Sequence, residues 1–154
     1  MPFHRFYCTA NLYTKAEKQA IARSITDLYA KVPIPRFYVV INFIEVGEDN
    51  YYVSGEPAGR FVRIHVQHLA RNLQTFEEKR EFMERYEKVL EPFTKGKCID
   101  WEVQVSNEDP VFWNWNGVRP PPFDSEAEAY QNWYDINKPV EWSEGGIAKK
   151  DGEN

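Results

Sequence analysis

The second residue of the chain is proline, in Met1-Pro2-Phe3-His4. Trimming of the initiator methionine before so small a residue would leave a secondary amine as the first group of the chain. Such an amine is compact and nucleophilic. An ordinary α-amino group titrates near pKa ~8, and apolar surroundings lower that value by disfavouring the cation. A neutral Pro2 could accept a proton and a cationic one could return it, which is base and acid chemistry on one atom. Phe3 and the aromatic residues near the C-terminus could supply the apolar surroundings. The plainer reading is a proline that only starts an edge strand, a common position for it.

Other reactive side chains are sparse. His4, His65 and His68 show no His-x-x-x-His spacing, and His65 and His68 have opposite strand parity, so they do not converge on a metal. They read as structural or surface groups. Cys8 and Cys98 lie in strand-like runs without Cys-x-x-Cys spacing, so both are expected to be buried free thiols. No Ser-His-Asp arrangement or phosphate-binding glycine loop occurs. No cofactor and no metal are expected. The rings of Phe112, Trp113, Trp115, Phe123, Tyr130, Trp133, Tyr134 and Trp142 crowd the last third of the chain, where they cover a core or line a pocket.

These groups need a scaffold, and the sequence writes one twice. With 154 residues and 42% apolar content, one domain can bury a core without disulfides. Pro2 to Thr9 reads as a strand. A helix follows over Thr14 to Lys31, opened by the capping box Thr14-x-x-Glu17, with Ile21, Ile25 and Leu28 on one face. Pro33 and Pro35 stop it. Arg36 to Val46 is apolar on both parities, the pattern of a central strand covered on both faces. Gly47 to Arg60 carries turn chemistry around a short strand at Tyr51 to Val53. Then the order recurs. Phe61 to Leu69 alternates as a strand, and Thr75-x-x-Glu78 caps a second helix with Phe82, Tyr86, Val89 and Phe93 on its apolar face. Lys95-Gly96-Lys97 ends that helix, and Cys98 to Ser106 is the last strand.

The expected class is α/β (α+β): tandem β-α-β units making a four-stranded sheet with two helices on one face. The other sheet face then needs cover, from oligomerisation or from the C-terminal segment. One domain is expected over residues 1–142, with units at 2–46 and 61–106 and an aromatic, proline-rich extension over 107–142. A helix over Ser125 to Asn137, capped by Ser125 and Glu128, would turn Ala129, Trp133 and Ile136 to one side. Residues 143–154 are polar and glycine-rich and read as disordered. The net charge of −5, with no basic cluster, argues against nucleic acid. No apolar run reaches membrane-spanning length and no signal peptide is visible, so a cytoplasmic location is expected.

A duplicated strand–helix–strand unit beginning Met-Pro resembles the tautomerase superfamily, and within it the cis-3-chloroacrylic acid dehalogenase-like branch. The resemblance spans residues 2 to 120. Pro2 matches the family's N-terminal proline. Ile25-Thr26-Asp27 matches the end of its first helix, where Tyr29 stands at the family's histidine. Asn42-Phe43-x-Glu45 matches the second strand, and Trp101 heads the fourth. Arg71, after Val66-Gln67, falls at the first substrate-binding arginine. Gln74 falls at the second. Asn114, in Trp113-Asn114-Trp115-Asn116-Gly117, falls near the catalytic glutamate.

The resemblance implies a cofactor-independent, homotrimeric barrel enzyme with Pro2 as acid and base. Arg71 would grip a substrate carboxylate through its planar fork, with Gln74 beside it. Tyr29 would hydrogen-bond a carbonyl or enolate oxygen, and Asn114 would hold substrate through its amide. Amides at the second arginine and at the glutamate remove equipment for activating water, whereas proton transfer needs less. The expected function is therefore keto-enol tautomerisation of a 2-oxo or unsaturated carboxylic acid. The alternatives are a cofactor-free hydratase, decarboxylase or dehalogenase of a small unsaturated acid, or a non-catalytic ligand-binding member of the fold. The expected partners are a small carboxylic acid and two further copies of the chain.

Overall fold

A computed structural model of the protein describes residues 2–69, 72–123 and 127–142. Arg71, Ser125 and the stretch 143–154 lie outside the described residues. The elements run β1 (Pro2–Thr9), α1 (Lys15–Tyr29), β2 (Val40–Val46), the short pair β3 (Tyr52–Val53) and β4 (Glu56–Pro57), β5 (Phe61–His68), α2 (Phe76–Leu90), β6 (Asp100–Asn107) and α3 (Glu128–Ile136).

Both expected capping boxes are present. The Thr14 and Thr75 side chains accept from the N–H of Glu17 and Glu78, and each glutamate accepts from its cap's backbone N–H. Two donors left orphaned by helix geometry are satisfied at each start. The main sheet has the order β2-β1-β5-β6. Pairing is parallel between β1 and β2 and between β5 and β6, and antiparallel between β1 and β5. Residues of even parity on β1 and β5 (His4, Phe6, Cys8, Val62, Ile64, Val66) are buried against α1 and α2, which add Ile21, Ile25, Phe82, Tyr86 and Leu90. Each large apolar side chain so covered contributes about 1.5–3 kcal/mol.

The odd parity faces the other way and carries a polar lattice. Arg5 donates to Gln67 at 2.7 Å, and Arg63 donates to Glu102 at 2.7 Å and to Gln104 at 2.8 Å. Among the described residues no helix lies over this face, and no helix is long and apolar enough to cross a membrane.

The structure corrects several local expectations. The second strand is an edge strand, not a central one, and begins at Val40 because Arg36–Tyr38 form a 3-10 turn. Its second apolar parity, Val40 and Ile44, belongs to the open sheet face. Cys8 is buried in β1, but Cys98 is exposed, with a left-handed φ of 52° just before β6. The segment around Tyr51 closes as a two-residue hairpin, with Ser54 and Gly55 both at positive φ, the turn whose twist suits paired strands. In α3 the buried side is Tyr130 with Trp133, while Ile136 is exposed. Its N-cap is Ala127, with no side-chain bond.

Candidate functional site

The topology gathers one end of the sheet. β1 begins where β5 and β6 end: Pro2 lies opposite His68, and His68 opposite Asn107. β2 begins there too, with Val40 beside Phe3. α1 runs back along β1, so Tyr29, at its last turn, returns to the same end. Leu73 is held there by Asn107, which accepts from the Leu73 N–H at 3.3 Å and donates to the Leu73 carbonyl at 2.9 Å.

Pro2 is buried. On its face of the sheet lies a packed group of rings. His4 is fully buried, stacks on Tyr86 at 5.5 Å, and has Nδ1 2.8 Å from the Tyr86 hydroxyl. The Tyr29 ring stands edge-on to His4 at 5.6 Å and tilted to His68 at 5.7 Å, and Phe82 closes on His68 at 5.3 Å. Burial, then the charge of neighbouring His68, pushes the His4 imidazole down to about 3, so it is neutral at pH 7. Burial also pushes the Tyr29 and Tyr86 phenols up, which keeps them neutral. The Tyr29 hydroxyl is buried with no hydrogen-bond partner among the described residues. A cation beside such a group is poorly solvated, the condition that lowers an amine's pKa. Phe3 does not contribute to this lining. It has the opposite parity, with the Arg5 guanidinium 4.5 Å from its ring centroid.

Two cavities flank this end. One, of about 270 Å³, lies between the end of α1 and the first turns of α2, and is lined by Tyr29, His68, Leu73, Phe82 and Arg85 among others. The other, of about 330 Å³, is built largely by the chain after β6 and is lined by Tyr38, Leu69, Trp113, Arg119, Pro121 and Tyr130 among others. Leu69 directly follows the residue that pairs with Pro2.

Pro2 and Tyr29 thus come to one end. Arg71 lies outside the described residues. Gln74 is exposed ahead of α2, where its backbone N–H donates to Glu78 at 2.8 Å. Asn114 is exposed on the outside of the C-terminal segment. Its neighbour Trp113 packs edge-on against Tyr38 at 4.7 Å. The turn beside it is made by Asn116 and Gly117, both at positive φ, between the paired Trp115 and Val118. Tyr38 and Arg119 were not singled out from the sequence. Tyr38 reads there as one apolar position of a strand, and Arg119 only as the residue before three prolines. The available signal was local: Pro33 and Pro35 bar regular structure just before Tyr38.

A family model described as putative oxalocrotonate tautomerase enzyme matches residues 1–138. A comparison with curated proteins finds no match. Among solved structures, native RhCC from Rhodococcus jostii RHA1 superposes with a TM-score of 0.86 at 30% identity, covering 91% of this chain and 99% of its own. A probable enzyme from the thermophilic fungus Aspergillus fumigatus gives 0.86 at 32% identity, covering 92% and 98%. N1, a member of the cis-3-chloroacrylic acid dehalogenase family, gives 0.67 at 20% identity, covering 85% and 89%, and so shares the fold.

Proposed function

This chain belongs to the family of putative oxalocrotonate tautomerase enzymes, and on that premise we propose that it interconverts the enol and keto forms of a 2-oxo or unsaturated carboxylic acid, with Pro2 as the proton carrier. Neutral Pro2 takes the proton from the enol oxygen at C2 and returns it to C3, the far carbon of the enol double bond, as the C2–O bond becomes a carbonyl, so no group is lost and no cofactor enters. Tyr29 donates to the oxygen on which negative charge builds, and Arg71 holds the carboxylate. The observation that carries this reading is the burial of Pro2 at the same sheet end as an unspent, buried Tyr29 hydroxyl. Gln74 and Asn114 remain assigned to holding substrate.

The open sheet face supports a homotrimer in which three sheets cover one another. Sedimentation at micromolar concentration tests it, and a monomer would remove it. The catalytic test is ketonisation of an enol acid, followed by ultraviolet absorbance, with wild type and Pro2→Ala side by side. Loss of acid–base catalysis lowers the rate by roughly 10²–10⁴-fold. Equal rates would take Pro2 out of the mechanism.

A further inference from the structure

We propose that Leu73, pinned by Asn107, sets the length of acid that the cavity beside Tyr29 accepts. The proposal rests on the function given above in taking that cavity, which Tyr29 and His68 line, as the place where the apolar arm of a substrate lies. A second cavity, of about 190 Å³, lies on the β6 side of α2 and is lined by Lys79, Met83, Val105 and Asn107. Leu73 and Phe82 are the two residues common to both linings, so their side chains form the partition. Helix geometry gives the same answer. At 3.6 residues per turn, Glu78, Glu81 and Arg85 fall on one flank of Phe82, and Lys79 and Met83 on the other.

The two halves of the partition are fixed differently. Phe82 is held by its helix and by ring contacts with His68 at 5.3 Å and Tyr86 at 5.6 Å. Leu73 belongs to no helix or strand, so its position needs another cause. The Asn107 amide supplies it, accepting from the Leu73 N–H and donating to the Leu73 carbonyl. Only an amide side chain offers both groups in that fork, and it stands in for a neighbouring strand. The next two backbone N–H groups, of Gln74 and Thr75, donate to the Glu78 carboxylate at 2.8 and 3.0 Å. Main chain so tied cannot swing the half-buried Leu73 side chain out of the way. An arm that fills the first space, of about 270 Å³, therefore meets Leu73 and Phe82, and truncating Leu73 joins the two spaces. The joined walls, with Val105 and Met83 beyond the partition, suit an unbranched apolar arm.

The test uses the full chain and two stable straight-chain acids, 2-oxobutanoate and 2-oxooctanoate. Binding is read by calorimetry and by the methyl signal of Met83 in NMR spectra. Of the two cavities, Met83 lines only the one beyond the partition, and with Met1 trimmed it is the one methionine of the chain. In wild type the longer acid should bind no more tightly than the shorter and leave the Met83 signal unmoved. In Leu73→Ala the longer acid should gain about tenfold over the shorter and shift the Met83 methyl, the effect of burying roughly two further methylene groups. Asn107→Asp is isosteric, keeps the acceptor and loses the donor, and should favour the longer acid about threefold with the Leu73 side chain still present. Each reading is a ratio of two ligands on one protein, so a general loss of stability cancels from it. Pro2→Ala should keep the wild-type ratio, so failure of the catalytic reading and failure of this one are separately visible. A Met83 shift or a tenfold preference for the longer acid in wild type would overturn the proposal. So would a wild-type ratio in Leu73→Ala or Asn107→Asp, or no binding of either acid. The wild-type outcomes stand whether or not the variants fold.

Discussion

The two strand–helix–strand units have the same plan and different contents. Their helices are of equal length, 15 residues each, and open with the same threonine–glutamate box. Where α1 buries Ile21, Ile25 and Tyr29, α2 at the same helical positions buries Phe82, Tyr86 and Leu90. The second unit supplies bulk, and Tyr86 reaches across to hold His4 in β1. The first unit leaves a hydroxyl, that of Tyr29, unspent at the sheet end where Pro2 lies. The duplicated pattern builds the scaffold, and the candidate chemistry stands where the two copies differ.

Removing the link between the units should have the largest effect. Tyr86→Phe keeps the stacked ring and deletes the partner of a fully buried imidazole nitrogen, which costs about 1–3 kcal/mol. Urea unfolding measures it, and an unchanged midpoint would mean that the bond contributes nothing net. Tyr29→Phe should separate stability from turnover. It removes an unpartnered buried hydroxyl, so unfolding stability stays level or rises, while kcat/KM for an enol acid falls about tenfold, or about 1.4 kcal/mol. A destabilised variant with full activity would place Tyr29 with the scaffold.

Acid should act through His4. Its folded pKa, about 3, lies below the unfolded value of 6.5, so the unfolded chain takes the proton first. Stability from neutral His4 is present above pH 6.5 and is lost progressively as pH falls toward 3. Between pH 6.5 and 5.5 the loss is about 1 kcal/mol. A double variant, His4→Phe with Tyr86→Phe, should flatten that slope. The rings facing His4 are Tyr29 and Tyr86 from the two helices and His68 nearby, and both phenols stay neutral across this range. A wild-type slope of zero over that interval would show that His4 is hydrated.

Much of the scaffold was legible because its signals are local. A capping box is four residues long, and strand alternation declares a face wherever one side is buried, so β1 runs over the expected Pro2–Thr9. The edge position of β2 was not legible. Val40 and Ile44 are apolar on the uncovered face, and single-chain periodicity cannot say what covers a face. In the candidate site, Pro2 and Tyr29 could be named because one is fixed by chain position and the other by the end of a helix. Tyr38 could not, because its place in a cavity wall is set by Trp113 and Trp133, which meet it only in three dimensions. Cys98 was misread for a related reason: its left-handed backbone breaks the alternation one residue before Ile99 resumes it.

The smallest predicted effect tests whether the two units are equivalent as scaffold. Thr14→Ala and Thr75→Ala each remove one cap and should each cost about 1 kcal/mol. The bridging glutamates keep other partners in both cases. Glu17 still accepts from Lys97 Nζ at 2.5 Å, and Glu78 still accepts from the Gln74 N–H at 2.8 Å. Neither helix start therefore loses its carboxylate, whose charge also favours the positive end of the helix dipole. The two losses should agree within about 0.5 kcal/mol when urea midpoints are compared at neutral pH. Lys97 ties α1 to the turn before β6, whereas the Gln74 contact stays within its own unit. A Thr14→Ala loss exceeding that of Thr75→Ala by more than about 1 kcal/mol would mean that the first cap also holds the two units together, and the scaffold would then share the asymmetry of the site.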